Sequence, residues 1–216
     1  MSLTLYYGSG SPYAWRVWLA LEHKQIPHDL KHLSFDAGDT RTPEFMALNP
    51  RHRVPVIVDG DFSLYESAAI LEYLEDQYPS DAAARSLFPK HVRERARVRR
   101  LVREIDQYLA EGVEGLVGQL LFTPREKWDD KTIADALKIV RQECAHFERE
   151  CRGDFLGDGL SAADFSLYPL LALALRIVKK KPNLDLASGI GPKLTAWMSR
   201  IEALPYFQKT YPPHWK

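Results

Sequence analysis

Three short stretches of the chain carry side chains whose types and spacing could do chemistry. Ser11 precedes Pro12 where an apolar run, Leu3 to Tyr7, gives way through Gly8-Ser9-Gly10 to a helical pattern. A hydroxyl at a helix start can donate a hydrogen bond to an anion, and the helix terminus favours negative charge there. The same serine also reads as a plain N-cap, with proline in the first helical position. Tyr7 offers a phenol to the same neighbourhood, and Ser9 a second hydroxyl. Tyr6 and Tyr7 adjoin on one strand, so at least one of them faces the core. The second stretch is Asn49-Pro50-Arg51-His52-Arg53-Val54-Pro55. A proline inside a strand marks an edge or a special backbone geometry. A cis Val54–Pro55 bond would turn the Val54 backbone N–H and C=O toward a ligand. The third is Glu66-Ser67 at another helix start, which is either a carboxylate site or an N-cap.

The elements that must position these residues are legible in the pattern. Leu3 to Tyr7 and Val54 to Val58 are apolar runs bounded by turn signals, and His28 to Leu33 alternates, so all three read as strands. Asp59-Gly60 is a tight turn, and Phe62 to Tyr65 returns from it. Helices follow Ser11-Pro12 as far as Lys24, follow Thr42-Pro43, and run from Ser67 to Gln77. The order is βαβ then ββα. Residues 79–90 contain prolines and small residues and read as a linker.

Beyond the linker every strong signal is helical. Val98, Leu101, Ile105, Tyr108 and Gly112 keep helical spacing, as does the stripe Ile133, Leu137, Val140, Cys144, Phe147 and Cys151, closed by Gly153. Ser161-Ala162-Ala163-Asp164 is a capping box, with Leu160 and Phe165 placed to staple it. Pro192 opens a last helix carrying Leu194, Trp197 and Ile201. The fold class is thus α/β followed by all-α, with a first domain over 1–78, a linker over 79–90 and a helical domain over 91–216.

Composition narrows the function. With 29 Lys plus Arg against 29 Asp plus Glu, the 216-residue chain has no net charge, which argues against a nucleic-acid binder. A hydrophobic fraction of 45% excludes general disorder. The N-terminus has neither the basic nor the apolar region of a signal peptide, and Leu167 to Leu175 is too short to span a bilayer, so a cytoplasmic protein without membrane contact is expected. Two cysteines are too few for a disulfide scaffold, and they sit on the apolar stripe. The histidines and cysteines show no metal-ligand spacing, so no metal is expected. Gly8-Ser9-Gly10 begins like a dinucleotide fingerprint, but Tyr13 stands where its third glycine should be. The arginines between Arg93 and Arg103 alternate with acids and read as a solvated or subunit-facing surface.

In thiol-redox proteins of the thioredoxin superfamily the first turn reads Cys-Pro-Tyr-Cys. Here Ser11 and Ala14 stand where the sulfurs would be, so no dithiol exchange can occur there. Taken together, the Ser11 turn ending in Trp15-Arg16-Val17, Asn49 to Pro55, Glu66 to Leu74 and Ser161 to Asp164 closely resemble the cytosolic glutathione transferase family. The resemblance covers essentially the whole chain. Trp15-Arg16-Val17 resembles the zeta-like branch, although Pro12 and Tyr13 replace that branch's further serine and cysteine.

The resemblance implies a thioredoxin-like first domain, an all-helical second domain, a homodimer, and glutathione as co-substrate. It implies that Ser11 donates to the glutathione sulfur, with Tyr7 or Ser9 as competing donors. Val54, before a cis Pro55, would pair with the cysteinyl backbone. Glu66 and Ser67 would hold the γ-glutamyl end, and His52 and Arg53 the glycyl end. A small electrophile would sit between the rim of Ser9, Gly10 and Tyr13 and the helix through Tyr108 and Val113. Arg16 is either an electrostatic helper or part of a structural ion pair. The implied reaction is transfer of glutathione to the electrophile. The alternative is a non-catalytic regulatory or assembly module of the same fold.

Overall fold

The computed structural model describes residues 3–80 and 83–215. The chain divides into two compact units, one running to Leu87 and taking in the segment from Leu204 onward, the other Phe88–Ala203.

The first unit is built on a four-stranded sheet of order β2-β1-β3-β4. β1 (Leu3–Tyr7) runs parallel to β2 (His28–His32) and antiparallel to β3 (Val56–Asp59), which pairs with β4 (Phe62–Tyr65). The parallel pair needs a crossover, supplied by α1 (Pro12–Lys24). α2 (Pro43–Leu48) starts at Thr42, whose hydroxyl accepts the Phe45 N–H at 3.3 Å. α3 (Ser67–Gln77) follows β4 and packs on α1. These elements match the expected order. The third strand begins at Val56 rather than Val54, because Pro55 has no N–H to give the ladder.

The register fixes where the chain leaves the sheet. Tyr6 lies opposite Val56, and Val56 opposite Tyr65. The Gly8–Ser11 turn, the Val54-Pro55 approach and the Glu66-Ser67 exit therefore share one end of the sheet. Ala14, Val54 and Val56 belong to one buried cluster there.

α1 is buried on nearly every face, and the C-terminal segment explains why. Trp15 packs its ring against Phe207, Tyr211 and Trp215, with centroids 5.9, 5.7 and 5.5 Å away. The segment from Leu204 thus groups with the first unit, whereas the sequence reading assigned everything from 91 to 216 to the helical domain. Of the expected linker, residues 81 and 82 lie outside the described residues. Its later part is docked rather than loose: Leu87 is buried and its N–H donates to Glu75 Oε2 at 2.9 Å. Glu75 also accepts from the Ser86 hydroxyl and from Lys24 Nζ.

The second unit is helical: α4 (Val92–Glu104), α5 (Ala110–Leu120), α6 (Asp130–Glu150), α7 (Ala162–Ile177) and α8 (Pro192–Glu202). α4 and α5 are joined by a π-helical turn over Ile105–Leu109. That turn takes up an extra residue, so the buried row steps from Ile105 to Leu109 and Tyr108 is left 48% exposed. The α6 stripe is buried as expected, but the helix stops at Glu150, with Cys151 as an extended C-cap before Gly153 is reached. No helix among the described residues is long and apolar enough to cross a membrane.

Candidate functional site

The turn after β1 is closed by one backbone hydrogen bond, Ser11 N–H to Gly8 C=O at 3.1 Å. Gly10 has φ +85°, a conformation open to glycine and costly for most other residues. Ser11 is half-buried and caps α1, its Oγ accepting the Ala14 N–H at 3.3 Å. Capping uses a lone pair of the oxygen and leaves the hydroxyl hydrogen to donate elsewhere. The cap and donor readings of Ser11 are therefore compatible. The first turn of α1 carries no acidic residue, so its positive terminus is not neutralised from within the helix. Ser11 lines a small cleft with Tyr7, Ser9, Gly10, Trp15 and Trp18, of about 10 Å³, room for one water-sized group.

Tyr7 and Tyr6 point to opposite sides of the sheet, as strand alternation requires. Tyr6 packs on Phe45 of α2 at 6.1 Å between centroids. Tyr7 packs on Trp18 of α1 at 5.1 Å, and burial pushes its phenol pKa up. Ser9 is already engaged, its Oγ 2.9 Å from His214 Nδ1.

The Val54–Pro55 bond is cis. The turn leading to it is organised by Asn49, which is 2% exposed. Asn49 Oδ1 accepts the Arg51 N–H at 2.9 Å, and its Nδ2 donates to the Arg53 C=O at 2.7 Å. This leaves the His52 and Arg53 side chains exposed, with His52 at φ +56°.

Glu66 precedes α3 at φ +71°, a strained value for a non-glycine residue. Its carboxylate does not cap the helix, and the residue is exposed. Ser67 is buried and accepts from Arg16 Nη2 at 2.5 Å. Arg16, 3% exposed, thus places a buried cation from α1 behind the start of α3, and its guanidinium also lies 5.3 Å from the Tyr13 ring centroid. A positive helix terminus with a guanidinium behind it suits a carboxylate.

Register and the buried cluster account for the common location of the three stretches. Two site elements were missed by sequence reasoning. Asn49 was read only as the start of a motif, and an Asn-Pro turn gives no sign that the amide will bridge two backbone groups. His214 lies 205 residues from Ser9, beyond any local signal. Val113 is 1% exposed, among the buried residues of the helical unit. Cys144 and Cys151 are buried free thiols, and burial raises the pKa of both, that of Cys144 to about 12. Among the described residues, no group of His, Cys, Asp or Glu is arranged to hold a metal ion.

Comparison with known proteins agrees along the whole chain. Residues 10–77 match the family model for the N-terminal domain of glutathione S-transferase, and residues 130–200 that for its C-terminal domain. Glutathione S-transferase A of Pleuronectes platessa is 29% identical, covering 99% of this chain and 92% of its own length. A probable maleylacetoacetate isomerase of Vibrio cholerae is 31% identical, covering 98% and 96%. The crystal structure of a glutathione S-transferase from the Antarctic clam Laternula elliptica superposes with a TM-score of 0.83 at 30% identity, covering 100% of this chain and 94% of its own. A sheet of this topology, a helical second unit and sequence likeness over the full length assign the chain to the glutathione S-transferase family.

Proposed function

We propose that this protein lowers the pKa of the glutathione thiol at Ser11 and directs the thiolate onto a small electrophile. The observation that carries the reading is the Ser11 hydroxyl: its oxygen takes the Ala14 N–H, and its hydrogen is left to donate at an un-neutralised helix terminus. A free thiol has a pKa near 8.5. Lowering it by about two units requires about 2.7 kcal/mol. A hydrogen bond to a charged sulfur supplies about 1.5–3 kcal/mol, and the helix terminus up to about 1 kcal/mol. No general base is needed, and Ser11 acts as a donor rather than a nucleophile.

The rest of glutathione is held away from the sulfur. Glu66 and Ser67 take the γ-glutamyl end, its carboxylate lying at the α3 terminus backed by Arg16. Val54 pairs with the cysteinyl backbone beside Pro55, and His52 and Arg53 meet the glycyl carboxylate. The electrophile approaches past Ser9, Gly10 and Tyr13. The active species is a homodimer. With an alkene conjugated to carboxylates, the same thiolate can add, allow rotation and leave again. That returns glutathione unchanged and isomerises the diacid; the Vibrio cholerae relative is named a probable maleylacetoacetate isomerase.

The test is calorimetry with glutathione followed by a turnover screen over aryl halides, epoxides, enones, peroxides and isomerisable diacids. Glu66→Ala and Ser67→Ala are expected to raise the KM for glutathione about tenfold or more with little change in saturated turnover, because they remove binding that is equal in ground and transition states. Unaltered affinity in both variants contradicts the assignment. Absence of glutathione binding by the unmodified protein supports the non-catalytic module instead.

A further inference from the structure

The turn that carries Ser11 has little bracing of its own. Gly8 and Gly10 lie within four residues, and a single backbone hydrogen bond closes it. It is held from outside on two sides. The ring of Phe35 lies so close over Gly8 that a Cβ there would meet it at 2.2 Å. The other side is covered by the C-terminal segment. His214 Nδ1 is 2.9 Å from Ser9 Oγ, and a Cβ at Gly10 would lie 3.0 Å from His214 Cε1 and 3.3 Å from Trp215 Nε1.

The segment that brings His214 there is itself anchored along α1. Tyr206 OH is 2.9 Å from His23 Nδ1, Lys209 Nζ is 2.7 Å from Glu22 Oε1, and Trp15 Nε1 donates to Thr210 Oγ1 at 2.9 Å. Thr210 Oγ1 in turn donates to the Phe207 C=O at 2.9 Å. The final turn, Pro213–Trp215, is thus carried on a segment anchored along α1 and meets the glycine turn through His214 and Trp215. A donor must stay within a fraction of an ångström of its working position to stabilise a charge, and errors near 1 Å cost up to about a hundredfold in rate.

We propose that His214 is a positioning residue for the glutathione reaction, acting through Ser9 to hold the Gly8–Ser11 turn so that the Ser11 hydroxyl meets the sulfur. The inference rests on the functional reading above. It makes the C-terminal segment of this chain part of the thiol-activating apparatus, and it gives Ser9 a role other than sulfur donor.

The experiment compares His214→Ala, Ser9→Ala, the double variant and His214→Asn in the full chain. Each alanine variant is expected to lower kcat about tenfold and to raise the pKa of the bound glutathione thiol by about one unit, with the KM for glutathione changed less than about twofold. The double variant loses no more than the larger single, since both remove one coupled contact. His214→Asn, whose amide can occupy the Nδ1 position, restores most of the loss. Hydrogen exchange of the peptide covering Gly8 to Pro12 is faster in His214→Ala than in the parent protein, with or without glutathione. Losses that add in the double variant, or an unchanged thiol pKa and unchanged exchange, overturn the proposal. If the unmodified protein binds no glutathione, the functional reading fails on its own, and the exchange experiment still decides whether His214 holds the turn.

Discussion

Ser11 and Ser161 occupy the same local position, immediately before the first residue of a helix, yet their surroundings give them opposite chemistry. Ser11 is half-buried beside a cleft, takes one backbone N–H, and keeps its hydroxyl hydrogen for another partner. Ser161 is 2% exposed, and its hydroxyl donates to Asp164 Oδ2 at 2.8 Å. Asp164 is wholly buried, and its two oxygens gather four donors: Ser161 N and Oγ on one, Leu156 N and Trp197 Nε1 on the other. That carboxylate ties the start of α7 to α8 and to the loop before it. Residue type and helix position are shared; the two serines differ in where the hydroxyl hydrogen goes and in whether a cleft opens beside it.

Removing the saturated centre should have the largest effect. Asp164→Ala leaves the Leu156 and Ser161 N–H groups and the Trp197 indole N–H without their acceptor in the core, each costing about 1–3 kcal/mol. The expected loss is about 4 kcal/mol of unfolding free energy by urea titration, at the severe end for a point substitution. The folded fraction should turn over normally. A variant of normal stability that has lost catalysis would put Asp164 in the site and break the contrast.

A smaller effect of the same kind is expected in the first unit. His23 is buried, sits against the Tyr206 hydroxyl and packs on its ring, and its pKa is pushed down to about 4 by burial first and then by Lys24 and Arg85. The unfolded chain binds this proton near pH 6.5 while the folded protein refuses it until near pH 4. The stabilisation is complete above pH 6.5 and is lost as pH falls toward 4. The loss amounts to about 3 kcal/mol. His23→Gln should flatten that part of the stability profile; an identical slope in the variant would show that His23 does not carry it.

Much of this was legible in the sequence, and the exceptions have definite physical causes. Ser11-Pro12, Thr42-Pro43, Ser161-Ala162-Ala163-Asp164 and Pro192 announce helix starts because capping chemistry is local, and all four helices begin there. β1 and β3 follow from apolar runs of the right length, β2 is signalled by alternation and β4 by the tight turn at Asp59-Gly60. What escaped was non-local or a matter of register. The docking of Leu204 onward against α1 depends on Trp15 meeting Phe207, Tyr211 and Trp215, which no window of sequence contains. The π turn at Ile105–Leu109 breaks a periodicity that otherwise continues, so Tyr108 was counted in a row that it leaves. At the candidate site, Ser11, Val54-Pro55 and Glu66-Ser67 could be named from local signals. Their shared end of the sheet required the register, and the His214 contact and the Arg16 support beneath Ser67 required the tertiary structure.

The central claim, that the Ser11 hydroxyl stabilises the glutathione thiolate, is tested most directly by titrating the ultraviolet absorbance of the bound thiolate in the parent protein, Ser11→Ala, Ser161→Ala and Tyr7→Phe. In Ser11→Ala the thiol pKa should rise by about 1.5 units and turnover fall about thirtyfold, which corresponds to about 2 kcal/mol of lost stabilisation. Ser161→Ala should leave the thiol pKa unchanged in the folded protein and cost only about 1 kcal/mol of stability. An unchanged thiol pKa in Ser11→Ala, with the rise appearing instead in Tyr7→Phe, would contradict the account and move the donor role to the phenol at the end of β1.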